Sequence, residues 1–179
     1  EAENSTFLHS DYYKNYSKLL ESKRLNKLLE DNNLMVNFYI HPKFKDYIGN
    51  FDVTSKRMRL IPYGEEPLNE LMMRCKLLIT DYSSVCWDVY YMNKPILFYQ
   101  FDYDLYNKVH GSYINMEKDL FGYRSLTMDK LLDDFENAIK NNFKQPKEFD
   151  EMRESTFAFT DKNNSARIVL EIKKMKIFD

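Results

Sequence analysis

Short apolar runs recur along the chain, separated by longer stretches in which apolar and polar residues alternate at helical spacing. Apolar runs at 35–40, 58–61, 77–80 and 96–99 predict β-strands, because each is rich in aliphatic and aromatic residues and is closed by polar residues or proline. The run at 77–80 is continuously apolar, which is typical of a strand buried on both faces of a parallel sheet.

Amphipathic segments between and after these runs predict helices. Ser10 or Asp11 is suited to cap the first helix, and Thr127 is suited to cap another. The segment 101–115, rich in Tyr, Asp and Gly, is predicted to be irregular. Since strands alternate with helices, the chain is predicted to be α/β, with a parallel sheet and helices on both faces. The predicted helices cover 10–31, 44–51, 68–74, 83–92, 127–141, 147–155 and 163–175.

Composition limits the classes of function. With 179 residues, 44% of them hydrophobic, and only 4 Gly and 5 Pro, the chain is expected to be a single domain, 1–179. A net charge of −2 argues against a nucleic-acid surface. Cys75 and Cys86 lack the spacing of metal ligands, so we expect buried free thiols in a cytosolic protein, with no metal and no cofactor. No apolar run approaches a membrane span, and a chain that begins with Glu1 is plausibly a fragment of a longer protein.

The most informative motif is the polar turn Asp81-Tyr82-Ser83-Ser84, which follows an apolar strand and opens a helix. Backbone N–H groups at a helix start lack intrahelical partners and suit a phosphate, and ligands of open α/β folds bind at the C-terminal edge of the sheet. The hydroxyls of Ser83 and Ser84 would complete a diphosphate site. A simple helix cap explains the same residues, and no glycine-rich phosphate loop is present.

Two further groups follow predicted strands. His41, fixed by the proline after it, could serve as a general acid or as a cationic partner for phosphate, or it could be a surface or capping histidine. The loop 62–66, with Pro62, Tyr63 and Gly64, could approach a base or simply connect a strand to a helix.

The irregular segment contributes one more candidate. At 110–113, His110 could meet a phosphate and Gly111 would allow a close backbone approach, although a plain turn fits equally well. Glu70, on a predicted helix, is read as solvated unless a ribose lies nearby.

Taken together, these motifs resemble the C-terminal domain of the CDP-glycerol glycerophosphotransferase family, the teichoic-acid primases and polymerases. The Leu-Leu-Ile-Thr-Asp-Tyr-Ser-Ser-Val segment at 77–85 is the most specific part of the likeness. The other stretches that resemble the family, in family order, are 12–29, 38–43, 68–71, 94–99 and 164–168.

The resemblance implies the C-terminal half of a GT-B architecture, in which a Rossmann-like domain binds a CDP-activated donor. Glycerol-phosphate or ribitol-phosphate would pass from CDP-glycerol or CDP-ribitol to an acceptor hydroxyl, with release of CMP. Ser83 and Ser84 would hold the diphosphate, Asp81 would order the turn, and His41 would lie at the reacting phosphate. The loop 62–66 would approach the cytidine.

The same resemblance assigns further roles. Glu70 would reach the ribose, and His110 with Gly111 would contact the diphosphate. The family often has Arg-Gly at this last position, so a titratable histidine here would make that contact depend on pH.

The acceptor site and the base are expected in an N-terminal domain that is absent from these residues, as is the first strand of the present domain. The fragment alone is therefore expected to bind donor weakly and to turn over little. The family acts on lipid-linked or polymer acceptors, which implies a cytoplasmic enzyme peripheral at the inner face of the membrane.

Two other functional classes stay open at this stage. A nucleotide-sugar glycosyltransferase or epimerase would share the same architecture, and a non-catalytic α/β interaction module would share the same fold. The sequence does not indicate an oligomeric state.

Overall fold

Parallel strands and intervening helices make up the structure, a computed structural model that describes residues 2–53, 55–111 and 114–175. A 3₁₀ helix covers Pro42–Asn50. The strands are β1 (Val36–Tyr39), β2 (Met58–Ile61), β3 (Leu78–Thr80), β4 (Ile96–Tyr99) and β5 (Tyr123–Ser125). The helices are α1 (Ala2–His9), α2 (Asp11–Leu20), α3 (Lys23–Asp31), α4 (Leu68–Arg74), α5 (Val85–Tyr91), α6 (Tyr103–Val109), α7 (Met128–Lys140), α8 (Lys147–Thr156) and α9 (Asn164–Lys174).

All strand pairs among the described residues are parallel, which confirms the predicted α/β class. The strands form two sheets rather than one continuous sheet. β1 pairs with β2, with Val36 opposite Met58, and a second sheet has the order β3–β4–β5, with Leu78 opposite Ile96. Within the described part of the chain, β1 and β3 each have one unpaired edge.

Strand β4 shows why helices cover both faces of the second sheet. Leu97 and Tyr99 point to a core shared with α2, α3 and α7, whereas Ile96 and Phe98 point to a core shared with α5 and with 120–121. Alternate strand residues face opposite sides of a sheet, so one four-residue strand that is buried on both faces anchors two cores. Strand β1 packs on the first of these cores, so both sheets rest on one set of helices.

Three sequence predictions differ from the structure. The predicted helix 10–31 is two helices, because the hydroxyl of Ser22 accepts the N–H of Leu25 at 3.2 Å and starts α3 anew. The segment predicted to be irregular, 101–115, contains α6. Strand β5 was not predicted, because its three residues carry no apolar run. By contrast, Ser10 and Thr127 cap α2 and α7 as predicted.

Gly122 lets β5 approach β4 closely. A Cβ atom at this position would lie 2.4 Å from the carbonyl oxygen of Ile96, well inside any allowed contact. The neighbouring Phe121 is buried against Trp87 and Tyr90 of α5, with ring centroids 4.3 Å apart in both pairs. This approach fixes the rim of the sheet beyond β4.

Cys75 and Cys86 are free thiols, as predicted, but of the two only Cys86 is buried, whereas Cys75 is partly exposed. Burial raises the pKa of Cys86 to about 12. None of the helices in 2–53, 55–111 and 114–175 is both long enough and apolar enough to cross a membrane.

Candidate functional site

The turn 81–84 leaves the C-terminal end of β3 and leads into α5. Oδ1 of Asp81 accepts the N–H of Tyr82 at 2.6 Å, so the carboxylate folds back over its own turn and orders it. Burial raises the pKa of this carboxyl, and the charge of Asp102 raises it further, while nearby backbone N–H groups such as that of Tyr82 oppose the shift. A carboxylate held in this way shapes the turn instead of facing solvent.

Beyond Asp81, the turn has backbone N–H groups that donate to no acceptor among the described residues. Among the described residues, no acceptor receives the N–H of Ser84 or Val85, whereas the N–H groups of the next two residues bond to the carbonyls of Ser83 and Ser84 at 3.2 and 3.1 Å. Ser84 is exposed and its hydroxyl does not cap the helix. The turn thus carries two N–H groups without an acceptor and two serine hydroxyls, which are groups that can bind an anion.

Asp102, which follows β4, joins this turn to α6. The hydroxyl of Tyr82 donates to Oδ1 of Asp102 at 2.9 Å, and the ring of Tyr82 stacks on that of Tyr106 with centroids 3.5 Å apart and planes 5° from parallel. The ring of His110 lies 5.1 Å from Tyr106. The ring of Tyr106 therefore contacts both His110 and Tyr82 of the turn. Gly111 follows His110 with a φ of 67°. Residues 112 and 113 lie outside the described part of the chain.

Gln100 provides a second link between β4 and the turn. The residue is fully buried, and its Nε2 donates to the backbone carbonyl of Asp81 at 3.3 Å. Gln100 and Asp102, which stand directly after β4, are functional candidates that the sequence reasoning missed. Their position at the end of a parallel strand was the available signal, because ligands of such folds bind at that edge.

His41 lies at the start of the 3₁₀ helix, after β1. Its Nδ1 accepts the N–H of Lys43 at 3.2 Å, so a neutral ring carries its proton on Nε2 and can donate from there. The imidazole is exposed, with its centroid 6.3 Å from that of Phe44. His41 is therefore both the cap of the helix and a free donor.

Aromatic rings connect His41 to the turn. The ring centroids of Phe44 and Tyr12 lie 5.1 Å apart. Burial raises the pKa of Tyr12, and the charge of Asp81 raises it further. The same carboxylate raises the pKa of the buried Tyr16. Helix α2, which carries Tyr12 and Tyr16, therefore lies close to Asp81. Ring contacts from His41 to Phe44 and from Phe44 to Tyr12 connect His41 with the same region.

The loop 62–66 is held by its own neighbours. Glu66 bridges Arg59 and Arg74 at 2.6 and 2.5 Å, and Gly64 has a φ of 89°. Tyr63 is 55% exposed, with its ring 6.4 Å from Tyr39. Pro62 and Glu70 are also exposed. No hydrogen bond, ion pair or ring contact between described residues joins this loop or Glu70 to the turn 81–84.

No group of three or more His, Cys, Asp or Glu side chains in 2–53, 55–111 and 114–175 could hold a metal ion. What the described site can do is bind an anion through N–H and hydroxyl groups and donate a proton or hydrogen bond from an imidazole.

Residues 5–174 match the profile of the family described as CDP-Glycerol:Poly(glycerophosphate) glycerophosphotransferase. The chain belongs to this family. It is 29% identical over 177 residues to the minor teichoic acid biosynthesis protein GgaB of Bacillus subtilis (strain 168), covering 97% of this chain and 19% of that protein. It is 26% identical over 155 residues to the teichoic acid glycerol-phosphate primase of the same organism, covering 87% of this chain and 38% of that protein.

This chain has the same fold as part of a solved protein. The wall teichoic acid polymerase TagF, solved in two forms, superposes with TM-scores of 0.68 and 0.67 at 24% and 21% identity. These superpositions cover 87% and 89% of this chain but 38% of the polymerase, which has a GT-B fold. The chain therefore spans less than two fifths of each of these relatives.

Proposed function

We propose that this chain is the donor-binding part of a transferase that moves a polyol phosphate from a CDP-activated donor to an acceptor hydroxyl in teichoic-acid-like polymer synthesis. The observation that carries the proposal is the turn 81–84, with unpartnered N–H groups at Ser84 and Val85 beside two serine hydroxyls. Family membership supplies the chemical class of the donor.

The proposed reaction is an in-line displacement at the phosphorus that carries the polyol. The acceptor oxygen forms a new bond to this phosphorus while the bond to the bridging oxygen breaks and CMP leaves. The proton of the acceptor hydroxyl passes to a base, which the resemblance to the family assigns to an N-terminal domain. The N–H groups and hydroxyls of the turn would stabilise charge that develops on the departing CMP. The Nε2–H of His41 would donate to an oxygen of the transferred phosphate.

His110 and Gly111 are proposed to contact the same diphosphate, because the ring contact with Tyr106 holds His110 beside the turn. Pro62, Tyr63, Gly64 and Glu70 are proposed to meet the nucleoside. The support for this second group is the exposed loop at the end of β2 and the family likeness.

The acceptor is proposed to be a growing polymer or a lipid-linked primer at the inner face of the membrane, met through a further domain. The sheet supports a larger assembly. β1 and β3 pack on one core, each has one edge unpaired among the described residues, and a further parallel strand between them would join the two sheets into one. In that case the amides of Asn37 and Ile79 would become protected from hydrogen exchange only in the longer protein.

Calorimetric titration tests the donor assignment. Wild-type protein is titrated with CDP-glycerol, CDP-ribitol and UDP-glucose, and so is a variant with Ser83→Ala and Ser84→Ala. We expect both cytidine donors to bind, UDP-glucose to bind more weakly, and the double variant to lose about tenfold or more in affinity, since two hydroxyl contacts are removed. Equal binding of UDP-glucose would favour a nucleotide-sugar enzyme, and no binding of any ligand would favour an interaction module.

A further inference from the structure

A cavity lies beside the turn 81–84, beyond the C-terminal ends of β4 and β5. It has a volume of about 470 Å³, which lies within the range of small-molecule sites. Gln100, Asp102, Asp104, Glu117 and Arg124 contribute to its wall. Asp102 also accepts the hydroxyl of Tyr82, so the cavity and the turn share a wall.

Two buried polar atoms in this wall lack partners. Gln100 is 0% exposed, and its Nε2 is committed to the carbonyl of Asp81 and to the sulfur of Met116, which leaves Oε1 without a donor among the described residues. Reversing the amide would set two carbonyl oxygens against each other, so Oε1 is the free acceptor. Nε of Arg124 is likewise a buried donor without an acceptor in the described part of the chain.

The charges around the cavity exclude a phosphate. Four carboxylates line the wall, those of Asp11, Asp102, Asp104 and Glu117, together with a single guanidinium, that of Arg124. Cζ of Arg124 lies 3.9 Å from the ring centroid of Tyr103, and its Nη1 lies 3.9 Å from Oε1 of Glu117. An anion placed here would face a net negative wall. A hydroxyl group suits both unpartnered atoms, because it donates to Gln100 and to carboxylates and accepts from Arg124.

We propose that this cavity binds the hydroxyl groups of the donor's polyol, while the turn 81–84 holds the diphosphate. The inference rests on the proposed function and adds the part of the ligand that it recognises. Unpartnered buried donors and acceptors are costly, so a polyhydroxylated chain that satisfies them is bound selectively over an alkyl chain of the same length.

The test compares esters of one nucleotide. CDP-glycerol, CDP-ribitol, the ethyl ester of CDP and CDP-ethanolamine share the diphosphate diester and differ beyond it. By calorimetry we expect the polyol esters to bind about tenfold more tightly than the ethyl ester in the wild type, as two added hydrogen bonds would give. Arg124→Met and Gln100→Met should remove most of this ratio.

The ratio isolates the polyol, because any effect of Gln100→Met on the turn weakens all esters equally. Gln145→Leu is the matched control, since Gln145 also has unpartnered amide atoms but lines a separate cavity with Lys140 and Lys144. Its ratio should equal that of the wild type. Thermal melts confirm that each variant is folded.

Three outcomes would overturn the inference. Equal binding of the ethyl and polyol esters would mean that the cavity holds water only. Tightest binding of CDP-ethanolamine would mean that the carboxylates recognise a cation. An unchanged ratio in both Arg124→Met and Gln100→Met would place the polyol elsewhere. If none of the esters binds, the proposed function itself fails.

Discussion

The two parts of the candidate site differ in the number of contacts that hold their side chains in place. On the β3–β4 side, Tyr82 is fixed by a hydrogen bond of 2.9 Å to Asp102 and a ring stack of 3.5 Å on Tyr106, and Gln100 braces the carbonyl of Asp81. On the β1–β2 side, His41 is exposed and its Nδ1 accepts one backbone N–H at 3.2 Å. Under the proposed function, the turn is therefore a preformed site for the diphosphate, whereas few contacts restrain His41.

The largest effect should come from the loosely held side, and chiefly on activity. We expect His41→Ala to lower the rate of transfer in the intact enzyme by about 10²–10⁴-fold, because the group that donates to the transferred phosphate is lost. The loss in the free energy of unfolding should not exceed about 1 kcal/mol, the cost of a lost helix cap. His9→Ala is the control, because His9 is another exposed histidine whose Nδ1 contacts a local backbone oxygen. Steady-state assays and thermal melts make the comparison, and full activity in His41→Ala would remove the histidine from the mechanism.

Stability should respond on the other side. Gly122→Ala forces a Cβ atom against the carbonyl of Ile96, and we expect a loss of about 1–3 kcal/mol in the free energy of unfolding. Gly49→Ala, in the 3₁₀ helix after His41, meets no atom within 4 Å and should change stability by less than about 0.5 kcal/mol. Urea titration measures both. Equal losses in the two variants would mean that the two sides are equally constrained.

Removal of a single hydroxyl group from each side should produce a smaller difference in the free energy of unfolding. Tyr82→Phe removes the donor to Asp102, and we expect a loss of about 1 kcal/mol, the lower end for a bond to a charged group because the pair is partly solvated. Tyr63→Phe removes a hydroxyl from a ring that is 55% exposed and should have no measurable effect. A Tyr82→Phe protein as stable as the wild type would show that the hydrogen bond does not brace the turn.

The smallest expected effect is a pH dependence centred on Asp81. Because burial raises its folded-state pKa, the folded protein holds this proton more tightly than the unfolded chain. The resulting stabilisation is complete below the ordinary carboxyl pKa and is lost as the pH rises through the raised folded value. The Asp81→Asn variant has no carboxyl group at this position, so its free energy of unfolding does not fall in this way as the pH rises.

Unfolding free energies of the wild type and Asp81→Asn, measured from pH 3 to pH 7, test this dependence. Relative to the wild type, the variant should gain stability as the pH rises. A difference between the two proteins that does not change with pH would contradict the burial of Asp81.

The sequence predicted those parts of the fold that local pattern determines. β2, β4 and α4 match their predicted bounds, because continuous apolar runs and prolines mark their ends. β5 escaped prediction because Tyr123–Ser125 is held in place by the approach of Gly122 to Ile96, a contact between segments distant in the chain. α6 escaped because Asp102, which precedes it, accepts the hydroxyl of Tyr82 instead of capping the helix.

The candidate site divides along the same line. Asp81, Ser83, Ser84 and His41 could be named from strand ends and polar clusters in the sequence. Gln100 and Asp102 could not be assigned a partner, because their hydrogen bonds cross from β4 to β3 and depend on the register of the sheet.

Amide chemical shifts recorded during a titration with CDP-glycerol test the central claim most directly. If the turn 81–84 holds the diphosphate, the amide protons of Ser84 and Val85 gain an anionic acceptor and move downfield to saturation, while those of Tyr82 and Lys43 keep their present acceptors. Saturable binding that leaves the Ser84 and Val85 amides in place would contradict the account.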